Sequence, residues 1–398
     1  MTSFKRDVVV VGGCGRAGLP LGIVFADRGL SVALHDVNAA AVAAVLRGEM
    51  PFMEEGASAP LQRAVADGHL VASADPAVIA DSENVVIVVG TEIDEHLNPD
   101  PQRVLQVIED LSEVLADGQL LVLRSTVYPG VTKLVERRVE RLGKDIDVAF
   151  CPERIAEGRA MQELAELPQI VAGRTPEAVR RADALFRNLT DRTVHVEPEE
   201  AELAKLFSNV WRYTKFAVTN QFFMIANDYG LDYERIRDAM VRDYARAADL
   251  PSAGFAAGPC LFKDTMQLAA FTDNNFVFGH AAMLINEGLP PYLVSKLAER
   301  YDLSNMTVGI LGMAFKAESD DRRSSLSYKL KRILKVRAAA VLCTDPYVKD
   351  DEALVPLDKV LADADLLIIG APHNAYASIE ASVPVVDIWN LRGDGVRV

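Results

Sequence analysis

The segment VVVVGGCGRAG, at residues 8–18, decides the fold of the N-terminal part of this chain. Its four consecutive β-branched residues are typical of a strand that is buried on both faces of a parallel sheet. The glycines that follow match the pattern G-x-G-x-x-G. A helix is predicted at about residues 20–28 and a second strand at residues 32–36. The segment therefore predicts a βαβ unit of the kind that binds a dinucleotide.

The three glycines of the pattern and one acid define the expected cofactor. Gly13 permits the tight turn, Gly15 lets a pyrophosphate approach the backbone, and Gly18 lets the helix pack closely on the sheet. The phosphates would then lie at a helix N-terminus, which favours negative charge. Asp36 ends the second strand, where an acid binds the ribose 2′-OH and repels the 2′-phosphate of NADP. NAD is the expected cofactor. A turn without ligand, a flavin or a sugar nucleotide are the alternatives.

The rest of the chain alternates between segments that are predicted to be strands and segments that are predicted to be helices. Apolar runs at residues 85–89 and 120–123 repeat the strand pattern, and a long helix is predicted at residues 199–229. Strand-like runs return at residues 307–312, 340–343, 366–369 and 385–388. The expected fold class is α/β, with two doubly wound Rossmann-like domains joined by a central, mainly α-helical domain. The expected boundaries are 1–196 for the NAD-binding domain, 197–304 for the helical domain and 305–398 for the C-terminal domain.

The composition of the chain argues against several classes of binding partner and of structural site. The chain has 398 residues with 42 basic and 57 acidic side chains, a net charge of −15. This balance argues against a nucleic-acid or anionic-membrane surface. The first residues do not resemble a cationic leader and no apolar run is long enough to span a membrane, so we expect a cytoplasmic protein. The scattered cysteines and histidines predict neither a disulfide framework nor a metal site.

Cys260 is a candidate nucleophile. Small residues precede it in the segment 254–264, which would let a ligand approach, and a helix is predicted to begin near it. A helix N-terminus lowers the pKa of a thiol and makes its thiolate a better nucleophile. The alternative is an inert core cysteine. The charged segment 316–325 is either a phosphate-binding loop or a charged turn.

Two further pairs of polar residues are candidates for the functional site. Lys205 and Asn209 are four residues apart on the predicted long helix and therefore share one face. Apolar neighbours make a solvated face the less natural interpretation for this pair. Glu153 and Glu157 are also four residues apart, and surface charge is the alternative to a functional role for them.

Taken together, six segments resemble the UDP-glucose/GDP-mannose 6-dehydrogenase family. The resemblance covers nearly the whole chain in collinear order. The matching motifs are G-L-P at residues 18–20, S-T-V-x-P-G at 125–130, P-E-x-x-x-E-G at 152–158, E-x-x-K-x-x-x-N at 202–209, C-L-x-K-D at 260–264 and G-x-A-F-K-x-x-x-x-D-x-R-x-S at 312–325.

The resemblance implies a four-electron oxidation of a sugar C6 alcohol to a carboxylate with two NAD, through a thioester on Cys260. It implies that Lys205 and Asn209 stabilise the oxyanion, and that Asp264 orients Lys205 and the attacking water. Glu153 would be the general base for thioester hydrolysis. The implied catalytic residues are Cys260, Lys205, Asn209, Asp264, Glu153 and Thr126.

The same resemblance assigns two binding sets and a homodimer formed through the central helices. The cofactor set is Gly13, Gly15, Arg16, Ala17, Gly18, Asp36, Thr91, Thr126 and Glu157. The set for a UDP-sugar is Glu153, Lys205, Asn209, Phe255, Gly258, Lys316 and Arg323. UDP-N-acetylmannosamine-like substrates are favoured over UDP-glucose, and GDP-mannose is last, because Asn286-Glu287 and Pro372-His373 resemble the branch that acts on UDP-N-acetylhexosamines.

Four departures from the family pattern bear on the substrate. The sequence Ala-Gly-Pro precedes Cys260 in a loop that is one residue shorter than usual, Glu92 and Leu326 replace usual prolines, and the last domain is short. Two other functions stay open. One is a two-electron dehydrogenase of the 3-hydroxy acid type, and the other is a catalytically silent nucleotide-binding homologue.

Overall fold

The computed structural model of the protein describes residues 4–91, 102–396 and 398. Its contacts divide the chain into two compact units, Met1–Phe207 and Ser208–Val398. The boundary falls inside one helix of 31 residues, α9 (Pro198–Asp228). This is the long helix predicted at residues 199–229.

The described part of unit 1 contains one eight-stranded sheet in the order β3-β2-β1-β4-β5-β6-β7-β8. Neighbouring strands are parallel except β6 and β7, which are antiparallel. The strands are β1 (Arg6–Val11), β2 (Val32–His35), β3 (Leu70–Ser73), β4 (Ser82–Ile87), β5 (Gln119–Leu123), β6 (Ile146–Phe150), β7 (Gln169–Gly173) and β8 (Thr193–His195). The helices are α1 (Gly18–Asp27), α2 (Ala39–Leu46), α3 (Ser58–Ala66), α4 (Ala77–Ala80), α5 (Gln102–Asp110), α6 (Val131–Arg141), α7 (Ala160–Glu166) and α8 (Pro176–Phe186).

Strand β1 is buried on both faces, as its four valines predict. Val8 and Val10 pack into one hydrophobic cluster and Val9 and Val11 into another, because successive side chains of a strand point to opposite faces. The order of strand addition reverses between β1 and β4, which lie side by side and are parallel. In open α/β sheets, ligands bind outside the carboxyl ends of the strands at such a switch point.

Unit 2 combines helices with a second parallel sheet of four strands in the order β10-β9-β11-β12. The strands are β9 (Thr307–Leu311), β10 (Ala340–Thr344), β11 (Leu366–Ile369) and β12 (Val385–Val386). The helices after α9 are α10 (Tyr233–Val241), α11 (Leu261–Phe271), α12 (Val277–Arg300), α13 (Leu326–Arg337) and α14 (Leu357–Asp363). The predicted fold class is confirmed in both units. No helix in the described ranges has the length and apolarity needed to cross a membrane.

Candidate active site

The glycine loop between β1 and α1 has the geometry that a pyrophosphate needs. A Cβ at Gly13 would lie 2.6 Å from the Val10 carbonyl oxygen, and one at Gly18 would lie 2.4 Å from the Gly12 carbonyl oxygen. At Gly15 the nearest atom would be the Gly12 oxygen at 3.4 Å, so the backbone is open there. Two glycines are therefore needed for packing, and Gly15 leaves room for a ligand.

Asp36 follows β2 beside this loop. Its Oδ2 accepts a hydrogen bond from the Cys14 amide at 3.0 Å, and its Oδ1 accepts one from the Asn38 amide at 3.0 Å. The carboxylate is thus held next to the glycine loop, in the position of a ribose-binding acid. Val37 is 90% exposed at the same point, although sequence reasoning gave it no role. The open backbone at Gly15 and the held carboxylate of Asp36 fit the pyrophosphate and the ribose of NAD.

The loop that carries Glu157 is tied to the glycine loop. Arg16 Nη1 lies 2.9 Å from Glu157 Oε1, and the Arg16 guanidinium lies over the Phe52 ring. Glu54, which sequence reasoning missed, accepts hydrogen bonds from the Gly158 and Ala160 amides at 2.9 and 2.7 Å. Glu157 is therefore part of an ordered site and is not simple surface charge.

Polar residues after β4 and β5 complete this edge of the sheet. The Thr91 hydroxyl donates to the Thr126 carbonyl at 2.6 Å, and the Val89 amide donates to the Ser125 hydroxyl at 2.8 Å. The carboxyl ends of the parallel strands thus bring together Asp36, Thr91 and Thr126 with the glycine loop. Glu92, the expected departure from the family, lies outside the described residues.

Glu153 follows β6 at the same edge and is paired with a buried arginine. Arg124 Nε donates to Glu153 Oε2 at 2.8 Å, and Nη2 lies 2.6 Å from the same oxygen. The Arg154 and Ile155 amides donate to Oε1 at 2.7 and 3.0 Å. Glu153 is only 13% exposed, so surface charge is the wrong interpretation for it as well. Sequence reasoning gave Arg124 no role.

Glu202, the first residue of the E-x-x-K motif, anchors the start of α9. Its Oε2 accepts from the Gly130 amide at 2.6 Å, and its Oε1 accepts from the Thr132 amide and hydroxyl at 2.8 and 2.6 Å. The side chain is fully buried. It therefore caps α6 and joins the S-T-V-x-P-G loop to the helix that carries Lys205, which is itself buried.

In unit 2, the other polar residue of that helix meets α11. Asn209 Nδ2 donates to Asp264 Oδ2 at 2.5 Å, and the Lys263 ammonium lies 2.7 Å from Asp264 Oδ1. Asp264 is fully buried and Asn209 is 4% exposed. Burying a carboxylate is costly unless it is paired, so this pair is not a solvated helix face.

Cys260 differs from the other three cysteines. It is exposed and lies at the N-cap of α11, as expected, whereas Cys14, Cys151 and Cys343 are buried. Burial raises the pKa of Cys151 to about 12 and that of Cys343 to about 11. Burial and the nearby Asp36 raise the pKa of Cys14 to about 12. A thiol must ionise to attack, so Cys260 is the one suited to nucleophilic chemistry.

The small residues before Cys260 have a packing role that the sequence did not suggest. A Cβ at Gly254 would lie 2.1 Å from the Trp389 ring, and one at Gly258 would lie 2.6 Å from the Phe315 ring. Phe255 packs edge-on against Trp389, with ring centroids 6.0 Å apart. Both glycines therefore admit aromatic rings of the C-terminal sheet region.

The edge of the second sheet is held by a buried histidine. His373 Nε2 lies 3.1 Å from Asp345 Oδ2, and its Nδ1 accepts from the Glu318 amide at 2.9 Å. Burial raises the pKa of Asp345, but hydrogen bonds from His373 and from the backbone outweigh this and lower it to about 2. Asp345 also accepts from the Met313 and Ala314 amides at 2.6 and 2.9 Å. The loop that carries Lys316 is thus fixed at both ends.

Arg323 lies on the same loop and pairs with a buried acid. Its Nη2 lies 2.6 Å from Asp321 Oδ2, while its own side chain is 58% exposed. Asp321 is 3% exposed, and its carbonyl accepts from the Phe315 amide at 2.9 Å. The segment is therefore more than a solvated charged turn, and it holds the Arg323 guanidinium in a fixed orientation at the surface of unit 2.

Three domain profiles of one family match the chain in order. They are the NAD binding domain of the UDP-glucose/GDP-mannose dehydrogenase family at residues 7–190, its central domain at 199–287 and its UDP binding domain at 309–392. The UDP-N-acetyl-D-mannosamine dehydrogenase of Pyrococcus horikoshii is 28% identical over 401 residues, covering 98% of this chain and 93% of that protein.

Solved structures agree with these matches. A structure of the UDP-D-ManNAc dehydrogenase from Pyrococcus horikoshii has a TM-score of 0.88 at 27% identity, covering 94% of this chain and 91% of that one. A UDP-glucose dehydrogenase from Pyrobaculum islandicum has a TM-score of 0.89 at 26% identity, covering 99% and 97%. The resemblance predicted from the motifs is confirmed. The chain belongs to the UDP-glucose/GDP-mannose dehydrogenase family and is an NAD-dependent UDP-sugar dehydrogenase.

Proposed function

We propose that this protein oxidises the C6 alcohol of UDP-N-acetylmannosamine, or of a closely related UDP-hexose, to the carboxylate through a thioester on Cys260. The observation that carries the proposal is the placement of Cys260. It is the exposed thiol, and it opens the helix whose fourth residue, Asp264, binds Asn209. A nucleophile beside a buried amide–carboxylate pair suits a reaction that builds negative charge on oxygen.

Two oxidations must be separated by a covalent step. NAD, which the glycine loop and Asp36 would hold, would supply the hydride acceptor for both oxidations, one NAD for each. Each oxidation would also release the hydroxyl proton to water. Between the two transfers, the Cys260 thiolate adds to the aldehyde carbon, and the new oxyanion takes up a proton. After the second transfer, water adds to the thioester carbon and the thiolate leaves, which gives the carboxylate. Each turnover therefore consumes one water and yields two NADH.

The side chains divide this work by their chemistry. We propose that Lys205 and Asn209 donate to the oxyanion, that Asp264 orients Lys205 and the attacking water, and that Glu153 takes the proton of that water. The proposed cofactor residues are Gly13, Gly15, Arg16, Ala17, Gly18, Asp36, Thr91, Thr126 and Glu157. The proposed additional contacts with the UDP-sugar are Phe255, Gly258, Lys316 and Arg323. Of these, Phe255 and Gly258 act mainly through the shape of the loop, because their neighbours are Trp389 and Phe315.

The choice of hexose is supported by the relatives and not by Asn286. That residue is fully buried, donates to the Tyr213 carbonyl at 3.1 Å and accepts from Asn220 at 3.0 Å. It joins α12 to α9 and does not face a ligand. The relatives named as UDP-N-acetyl-D-mannosamine dehydrogenases span nearly the full chain, which supports this sugar over UDP-glucose.

A substrate panel tests the proposal. Purified protein is incubated with NAD and, in turn, with UDP-N-acetylmannosamine, UDP-N-acetylglucosamine, UDP-N-acetylgalactosamine, UDP-glucose and GDP-mannose, and NADH and uronate are both counted. We expect two NADH per uronate and the highest kcat/KM with UDP-N-acetylmannosamine. A 3-hydroxy acid is assayed beside the panel, and one NADH per turnover with it would favour the simple dehydrogenase. Binding of NAD and UDP-sugar without any NADH would favour the silent homologue.

We also propose a homodimer formed through the central helices, and a division of the chain into domains at 1–196, 197–304 and 305–398. The support for the dimer is an apolar stripe along α9. Its exposed members repeat at helical spacing and are Trp211, Val218, Phe222 and Ile225, and Tyr229 follows directly after the helix. A continuous exposed apolar face of this kind marks a protein interface.

The variant Phe222→Glu is expected to produce monomers, because it places a charge in the middle of the stripe, where pairing would bury it. Sedimentation velocity should show a wild-type particle of twice the 43.4 kDa chain mass and a variant particle of about one chain mass. The control is Val336→Glu on α13, which changes a residue that is 84% exposed and outside the stripe. A monomeric wild type would refute the dimer.

A further inference from the structure

Arg124 is an unusual side chain for the core of unit 1. It is 1% exposed and heads the largest fully buried side chains of the described residues. It directly follows β5 and precedes the S-T-V-x-P-G motif. Taking a guanidinium out of water costs several kcal/mol unless partners satisfy it, so its partners indicate why it is there.

The partners of Arg124 come from the end of β6, from β7 and from helix α8. Nη1 donates to the Cys151 carbonyl at 3.0 Å, just after β6, and Nη2 donates to Gln169 Oε1 at 3.1 Å on β7. The flat guanidinium lies 4.8 Å from the centroid of the Phe186 ring on α8. These contacts fix its position and leave the Nε edge directed at Glu153.

The carboxylate of Glu153 is held equally firmly. One oxygen takes both contacts from Arg124, and the other accepts the Arg154 and Ile155 amides. The charged groups that face Glu153 include the guanidiniums of Arg124 and Arg154. Burial lowers the pKa of Arg154, Glu153 raises it, and Arg124 lowers it further. Both oxygens of the carboxylate therefore have fixed donors, which define its orientation.

We propose that Arg124 is a positioning residue of the oxidation: it fixes the orientation of the Glu153 carboxylate for the hydrolysis of the thioester. This inference rests on the proposed function, in which Glu153 is the base. A base must be correctly oriented to take a proton from water. A buried guanidinium that contacts the carboxylate through Nε and Nη2 fixes this orientation and allows the side chain few others.

Three variants and a control test this inference. Arg124→Met removes the charge, Arg124→Lys keeps the charge but not the fork of donors, and Glu153→Gln removes the base. The control is Arg181→Met. Arg181 is also mostly buried and paired, with Asp147 at 3.0 Å and the Gly118 carbonyl at 2.9 Å, but at the opposite edge of the sheet.

The measurements are kcat and KM for uronate formation and the NADH released in the first turnover. Arg124→Met should lower kcat about a hundred-fold, because the carboxylate loses the donors that orient it. Arg124→Lys should lower kcat about ten-fold, because a single ammonium replaces the fork of donors. In both variants the KM for the UDP-sugar should be unchanged, and a normal burst of two NADH per site should precede slow uronate release. Glu153→Gln should show the same burst with the slowest uronate release, and Arg181→Met should keep the wild-type kcat.

Separate outcomes refute separate claims. A wild type that oxidises no UDP-sugar refutes the proposed function. An active wild type together with a wild-type kcat for uronate formation in Arg124→Met refutes the role of Arg124 in orienting Glu153. Should Arg124→Met not fold, Arg124→Lys decides alone: uronate release at the wild-type rate would show that Arg124 only stabilises the core.

Discussion

Cys260→Ser is expected to lower uronate formation by on the order of 10³-fold or more while NAD binding is unchanged. A serine hydroxyl is far less acidic than a thiol, so it does not supply the anion that must add to the aldehyde. The thioester cannot form, and the second oxidation has no carrier. The measurement is uronate per enzyme and NADH per sugar, with NAD affinity determined by calorimetry.

The matched control for this change is Cys343→Ala. Cys343 is 2% exposed at the end of β10, and burial raises the pKa of its thiol to about 11. Its loss should lower stability through packing but leave two NADH per sugar. Full uronate formation by Cys260→Ser would contradict the covalent mechanism, whatever the control shows.

Glu202→Gln is expected to lower the free energy of unfolding by about 2–4 kcal/mol, because it breaks a buried set of charge-assisted hydrogen bonds. Both carboxylate oxygens of Glu202 accept hydrogen bonds, from Gly130 and Thr132. The amide group of glutamine would direct N–H groups at one of these donors. Urea unfolding at pH 7 measures the loss. Glu199→Gln is the control, because the Glu199 side chain is 40% exposed and pairs at the surface with Arg174.

The pH dependence of this stability has a definite sign. Burial raises the pKa of Glu202, and hydrogen bonds from Thr132 and Gly130 oppose the rise only in part. The folded chain therefore holds this proton more tightly than the unfolded chain. Stability from this group is greatest below its ordinary pKa of 4.5 and falls as the pH rises through the folded value. The Gln variant should lack that component, and an unchanged pH slope would contradict the assignment.

Sequence patterns predicted the features that depend on residues close together along the chain. The valines of β1, the glycine loop, Asp36 after β2 and Cys260 at the start of α11 each have a local signal, and the structure places them as expected. Local signals were weaker for strand direction. The antiparallel pairing of β6 and β7 depends on how the chain returns through the loop after Phe150, which hydrophobic periodicity does not report.

The errors and omissions concern charges and contacts that only folding creates. Arg124 looked like an ordinary arginine beside a motif, and its burial against Glu153 depends on three strands. Gly254 and Gly258 suggested only openings for a ligand, because nothing nearby in sequence predicts that Trp389 and Phe315 pack against them. Small residues before a nucleophile are therefore ambiguous until their spatial neighbours are known.

The interlock between the loop before Cys260 and the C-terminal sheet region limits how this enzyme can be recombined. Consider a chimera that takes the C-terminal sheet region from a relative. It must also take the loop before Cys260 from that relative, because the rings at positions 389 and 315 fit only against glycines at 254 and 258. A mismatched pair would either clash or leave a void. Exchange at the junction before β9 should therefore yield inactive hybrids more often than exchange at a point N-terminal to Gly254. Changes of substrate in this family would then require the loop before Cys260 and the C-terminal sheet region to change together.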